Sequence, residues 1–148
     1  MKLADYIAGL IIETIEEYGG TVDISRNELA GKIGCVPSQI SYVVTSRFTP
    51  ERGYIVESRR GGGGFIRIKR IEVQPGNPVM HVLNSIGDSI DEDSCKAILS
   101  NIKNINLISE SSMKLISAAV LNSSLRQVET EMRDKVRASI FKNMLLCL

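Results

Sequence analysis

The stretch "PSQISYVVTSRFTPERGYIVESRRGGGGFIRIKR", residues 37–70, changes its hydrophobic period part-way along. Pro37 suits the first position of a helix, and Ile40, Val43 and Val44 recur at the helical spacing i, i+3, i+4. From Tyr54 the period becomes two. Tyr54, Val56 and Ser58 alternate with Ile55, Glu57 and Arg59, and beyond four glycines Phe65, Arg67, Lys69 and Ile71 alternate with Ile66, Ile68 and Arg70. This predicts a short helix followed by a two-stranded hairpin with a glycine turn.

If Ile40, Val43 and Val44 face inward, the helical step of about 100° sends Ser38, Ser41, Tyr42 and Thr45 outward, with Gln39 and Ser46 on the flanks. That face is uncharged and rich in hydrogen-bonding groups. Lys and Glu are better helix formers than Ser or Thr and would be usual on a merely solvated helix. Small polar residues with one Gln suit a surface that meets base edges in a DNA major groove. An ordinary amphipathic helix is the competing reading.

Upstream, "LADYIAGLIIETIEEY" (3–18) has helical spacing and is closed by Gly19 and Gly20. "SRNELAGKIG" (25–34) opens with Ser25 and Glu28 in a capping-box pattern and ends on Gly34. Two short helices across a tight turn, then a hairpin, is the element order of a winged helix-turn-helix. The glycine run then has a physical purpose. Glycine costs about 0.5–1 kcal/mol relative to Ala in regular structure, but a bare backbone can enter a minor groove only about 6 Å wide. Arg59, Arg60, Gly61, Gly62, Gly63 and Gly64 form that expected wing tip. A Walker loop is excluded, because a strand rather than a helix follows the glycines.

Charge is unevenly spread along the 148 residues. The net charge is +1, yet residues 1–25 carry one Lys and five acids, net −4, while residues 26–70 carry nine Lys and Arg against three acids, net +6. A basic block in a nearly neutral chain fits a polyanion-binding face, with Arg26 and Arg47 as further candidates for DNA contact. Cys35, Cys95 and Cys147 are scattered and the only histidine is His81, so no zinc site, cofactor or nucleophile–base set is expected. No apolar run reaches the ~18–20 residues that cross a bilayer, and a cytoplasmic, non-enzymatic protein with reduced thiols is expected.

After "EVQPGNP" (72–78) the pattern is helical throughout, with helices expected near 79–89, 92–103, 110–121 and 125–146. The last carries Val128, Met132, Val136, Ile140 and Met144 on one stripe, with Arg126, Glu129, Arg133 and Arg137 elsewhere. Its apolar end, "IFKNMLLCL", suggests more hydrophobic surface than a unit of about 70 residues can bury alone. Met132, Val136, Ile140, Phe141 and Met144 are therefore candidate dimerisation residues, and a core helix at the chain end is the competitor. The expected fold is mainly α with a small β-hairpin. A winged helix-turn-helix domain spans 1–72, a linker 73–78 and a helical dimerisation and regulatory domain 79–148.

"CVPSQISYVVTSRFTPERGYIVESRRGGGGFIRIKR", residues 35–70, closely resembles the hallmark stretch of the CtsR family, the class-three stress-gene repressors of Gram-positive bacteria. "ISESSMKLI" (108–116) and "RDKVRASIFKNML" (133–145) resemble its C-terminal segments more loosely. The resemblance implies a homodimeric repressor on tandem direct-repeat operators upstream of Clp protease and chaperone genes. It implies a glycine-rich wing that enters the minor groove and senses heat. It also implies that Arg60 contacts DNA and is modified by a protein-arginine kinase, with a Clp ATPase and protease as a later partner. Arg59 stands where the family often has Lys. A protein-interaction adaptor and a ligand-sensing regulator are the alternative readings from other classes.

Overall fold

A computed structural model describes residues 2–59, 64–72 and 76–148, and the chain divides into two compact units, Met1–Glu72 and Val73–Leu148. The first unit begins with α1 (Leu3–Glu17), which buries Ile7, Ala8, Ile11 and Ile15 along one stripe. Gly19 and Gly20 adopt positive φ, and the Gly20 N–H returns to the Ile15 carbonyl at 2.9 Å, which stops the helix.

The hairpin expectation gains a strand. Residues 21–25 form β1 (Thr21–Ser25), β2 is Tyr54–Ser58 and β3 is Phe65–Arg70, in the antiparallel order β1-β3-β2. Val22 lies opposite Ile68 and Ile24 opposite Ile66, while Val56 faces Ile68 from the other side. One sheet face thereby joins the core. Its opposite face carries Asp23, Arg67 and Glu57 in a single cross-strand row.

Between β1 and β2 come α2 (Arg26–Ile33) and α3 (Pro37–Arg47). Ser25 caps α2 by accepting from the Glu28 N–H at 3.3 Å, and Gly34 closes it in the left-handed region at φ 86°. Pro37 opens α3 as its spacing predicts, and Ile40, Val43 and Val44 are buried against the α1 isoleucines, Ile66 and Ile68. Phe48, just past α3, meets Tyr54 edge-on with ring centroids 4.9 Å apart, holding the start of β2 to the helix end.

The second unit has α4 (Pro78–Ile86), α5 (Glu92–Asn104), α6 (Glu110–Ala119) and α7 (Thr130–Leu146). Two boundaries differ from those read in the sequence. The expected linker already contains Pro78, the first residue of α4, because Asn77 accepts from the Val79 N–H at 2.9 Å and caps the helix there. The last helix starts at Thr130 rather than 125. Arg133 donates back to the Val128 and Arg126 carbonyls at 2.9 and 3.0 Å, satisfying the turn that precedes it. Among the described residues no helix is long and apolar enough to cross a membrane.

Phe141 is corrected from surface to core. It is 0% exposed, and Leu145 and Leu146 are buried beside it, so the unit itself covers most of the apolar end of α7. Arg137, expected on the polar side, is also 0% exposed. Its guanidinium donates to the Val120 carbonyl at 2.7 Å, the Ile90 carbonyl at 3.0 Å, the Asp134 carboxylate at 2.6 Å and the Asn122 side chain. One charge thus ties the loops before α5 and after α6 to α7. Burial pushes the neighbouring Cys95 thiol up to about 11, which suits an inert core residue.

Replacing Arg137 by Leu leaves the buried Val120 and Ile90 carbonyls without their donor, at roughly 1–3 kcal/mol each. Urea unfolding should place the R137L midpoint well below the native one with an unchanged slope. A midpoint within error of the native value would refute this role.

Candidate nucleic-acid interface

The turn closed by Gly34 and Pro37 sets α3 with its apolar stripe inward, and the other side is left to solvent. Ser38, Gln39, Tyr42 and Thr45 are exposed, Tyr42 at 68%, and none of their side chains makes a hydrogen bond among the described residues. The remaining two polar positions are occupied. Ser46 folds its hydroxyl back to the Tyr42 carbonyl at 2.7 Å. Ser41 is half-buried and accepts from Arg26 Nη1 at 3.1 Å.

The basic block is less basic in space than along the chain. Arg47 pairs with Asp5 at 2.9 Å, Arg67 grips Asp23 through two bonds of 2.8 and 3.1 Å, and Arg70 lies 3.8 Å from Glu16. All three acids come from the acidic first 25 residues. Three of the nine cations of the basic run are thus paired with the acidic run, across α1, β1, α3 and β3. Arg59 is exposed at the end of β2 and forms no ion pair among the described residues, and its N–H makes the last described rung to the Phe65 carbonyl at 2.9 Å. Arg60, Gly61, Gly62 and Gly63 lie outside the described residues. Gly64 is held at φ 75°.

The structure therefore brings Ser38, Gln39, Tyr42 and Thr45 onto one face. It engages Arg47 with α1 and turns Arg26 toward Gly64 and Ser41. No cluster of metal-ligating side chains occurs among the described residues. In the second unit Met132 remains 46% exposed and Val136, Ile140 and Met144 half-buried.

Two family models match this chain, the CtsR N-terminal HTH domain over residues 2–72 and the CtsR C-terminal dimerization domain over residues 75–146. The chain belongs to the CtsR family. Its CtsR relatives include the transcriptional regulator of Geobacillus stearothermophilus, 40% identical over 128 residues that cover 86% of this chain and 83% of the relative. The CtsR of Bacillus subtilis is 36% identical over 151 residues, covering 99% and 96%. A crystal structure of CtsR in complex with a 26bp DNA duplex matches with TM-score 0.52 and 35% identity over 99% of this chain and 97% of that one. The CtsR family is one of transcriptional regulators, and both parts of this chain fall within it.

The hydrogen bond from Arg67, reinforced by its charge, holds the Asp23 carboxyl below its ordinary value. The stabilisation from this pair is present above the ordinary aspartate pKa and is lost as pH falls through the lowered one. Carboxyl NMR titration should find Asp23 below the usual range in the native protein and back within it in Arg67→Gln. An Asp23 value equal in both proteins would refute the pairing.

Proposed function

We propose that this chain is a sequence-specific, DNA-binding transcriptional repressor that lays α3 in the major groove and the glycine-rich wing in the adjacent minor groove. The observation that carries this reading is the exposed, uncharged, hydrogen-bonding face of Ser38, Gln39, Tyr42 and Thr45. Such groups can exchange bonds to water for bonds to base edges without leaving a buried charge behind. Arg59 and Arg60 on the wing supply charge for phosphates, and Gly61, Gly62, Gly63 and Gly64 keep the tip thin. The family membership and the DNA-bound CtsR relative support the same reading.

The protein works as a homodimer, with Met132, Val136, Ile140 and Met144 of α7 as the contact stripe, a reading that the C-terminal family model supports. Following the family resemblance, its operators are tandem direct repeats before Clp protease and chaperone genes. Heat, or phosphorylation of Arg60 by a protein-arginine kinase, releases it, because a phosphate on the guanidinium turns attraction for DNA into repulsion. A Clp ATPase and protease then removes it, all in the cytoplasm.

Fluorescence anisotropy on a duplex selected by the protein from a random pool tests this. Gln39→Ala and Tyr42→Ala should each weaken the selected duplex, by about 1–3 kcal/mol for a lost base contact, while leaving binding to unselected DNA intact. Arg59→Ala and Arg60→Ala should weaken both and lower the slope of log affinity against log salt by about one each. No duplex binding by the native protein at low salt would sink the repressor in favour of the adaptor.

A further inference from the structure

The geometry points to Arg26 as a positioning residue that fixes the root of the wing against the recognition helix, acting on DNA affinity through that geometry rather than through a phosphate contact. This rests on the DNA-binding reading above. Arg26 directly follows β1, whose last residue Ser25 is paired with Phe65, and it begins α2. Its Nε donates to the Gly64 carbonyl at 3.3 Å and its Nη1 donates to the Ser41 hydroxyl at 3.1 Å. Gly64 ends the glycine run and Ser41 sits on α3 between Gln39 and Tyr42. A single planar fork therefore joins the wing and the reading face, from a third element.

Gly64 carries the second half of the case. Phe65 bonds toward β2 through the Arg59 rung, so the Gly64 carbonyl faces the β1 side, where Arg26 Nε donates to it. The Arg26 N–H also points to that oxygen, at 3.4 Å. A Cβ on Gly64 would lie 3.0 Å from Nη2 and 3.2 Å from Nε of Arg26, in a backbone held at φ 75°. Its positive φ favours glycine, and a side chain there would also displace the Arg26 guanidinium by a few tenths of an ångström. A lysine could follow one of the two acceptors but not both, because its donors radiate from a point at the end of a flexible stem.

The two roles open to Arg26 make opposite predictions. A phosphate ligand is partly replaced by Lys, and its loss lowers the salt slope by about one. A clamp is not replaced by Lys, and its loss leaves the slope unchanged. The experiment measures affinity for the selected duplex at several salt concentrations for the native protein, Arg26→Lys, Arg26→Ala, Ser41→Ala and the Arg26→Ala/Ser41→Ala pair. Amide relaxation of Gly64 and Phe65 in the free proteins is the second readout, with a thermal melt to verify folding.

The clamp predicts about tenfold weaker binding for both Arg26 variants at an unchanged slope. It predicts little further loss from Ser41→Ala once Arg26 is gone, and added motion at Gly64 in both variants. Rescue by Lys, a slope lowered by about one in Arg26→Ala, or additive losses would overturn it. If the native protein binds no duplex, the DNA reading fails by itself, and the clamp is then decided on relaxation alone. Unchanged Gly64 order in folded Arg26→Lys would overturn it there too.

Discussion

The N-terminal unit depends on β3 being hydrogen-bonded along both edges. A hairpin of β2 and β3 alone would be marginal in water, and its wing would be free to swing. Pairing β3 with β1 makes the wing continuous with the body that carries α1 and α2. The same strand sends Ile66 and Ile68 into the core that seats Ile40, Val43 and Val44 of α3. α3 and the root of the hairpin are therefore referenced to one strand. Residues far apart in the chain, such as Thr21 and Lys69, must meet before either is placed.

That strand also reorganises the charge. Arg67 on the outer face lies between Asp23 and Glu57, and Arg47 and Arg70 reach acids of α1. Exposed pairs of this kind contribute little stability each. Their consequence is in the field, because they quench positive charge on the body and leave Arg59, which forms no ion pair among the described residues, as a larger share of what remains. An acidic segment before a basic one reads along the chain as segregation, and in space three ion pairs join the two.

The helices of the N-terminal unit were largely legible because their signals are local. Pro37, the i, i+3, i+4 stripe and the Ser25–Glu28 cap each act within one or two turns, and the helices formed where they point. β1 was hidden because it offers only Val22 and Ile24 as apolar positions, and its last residue doubles as the α2 cap. The burial of Arg137 and the partners of Arg26 were hidden for a common reason. Their partners are backbone carbonyls and short polar side chains up to 47 residues away, and nothing in the pattern marks a carbonyl in need of a donor. Phe141 reads as surface in the sequence because the end of α7 is apolar on several sides, and it is neighbouring helices of the same unit that cover it.

Where DNA touches the protein is the most direct test of the proposed role. Amide chemical-shift mapping of the isotope-labelled protein, titrated with the selected duplex, reads this residue by residue. Shifts should concentrate on residues 38–45 of α3 and 59–64 of the wing, with the exposed face of α1 around Ile12 and Glu13 unmoved. Shifts centred on α1 with α3 silent would contradict it.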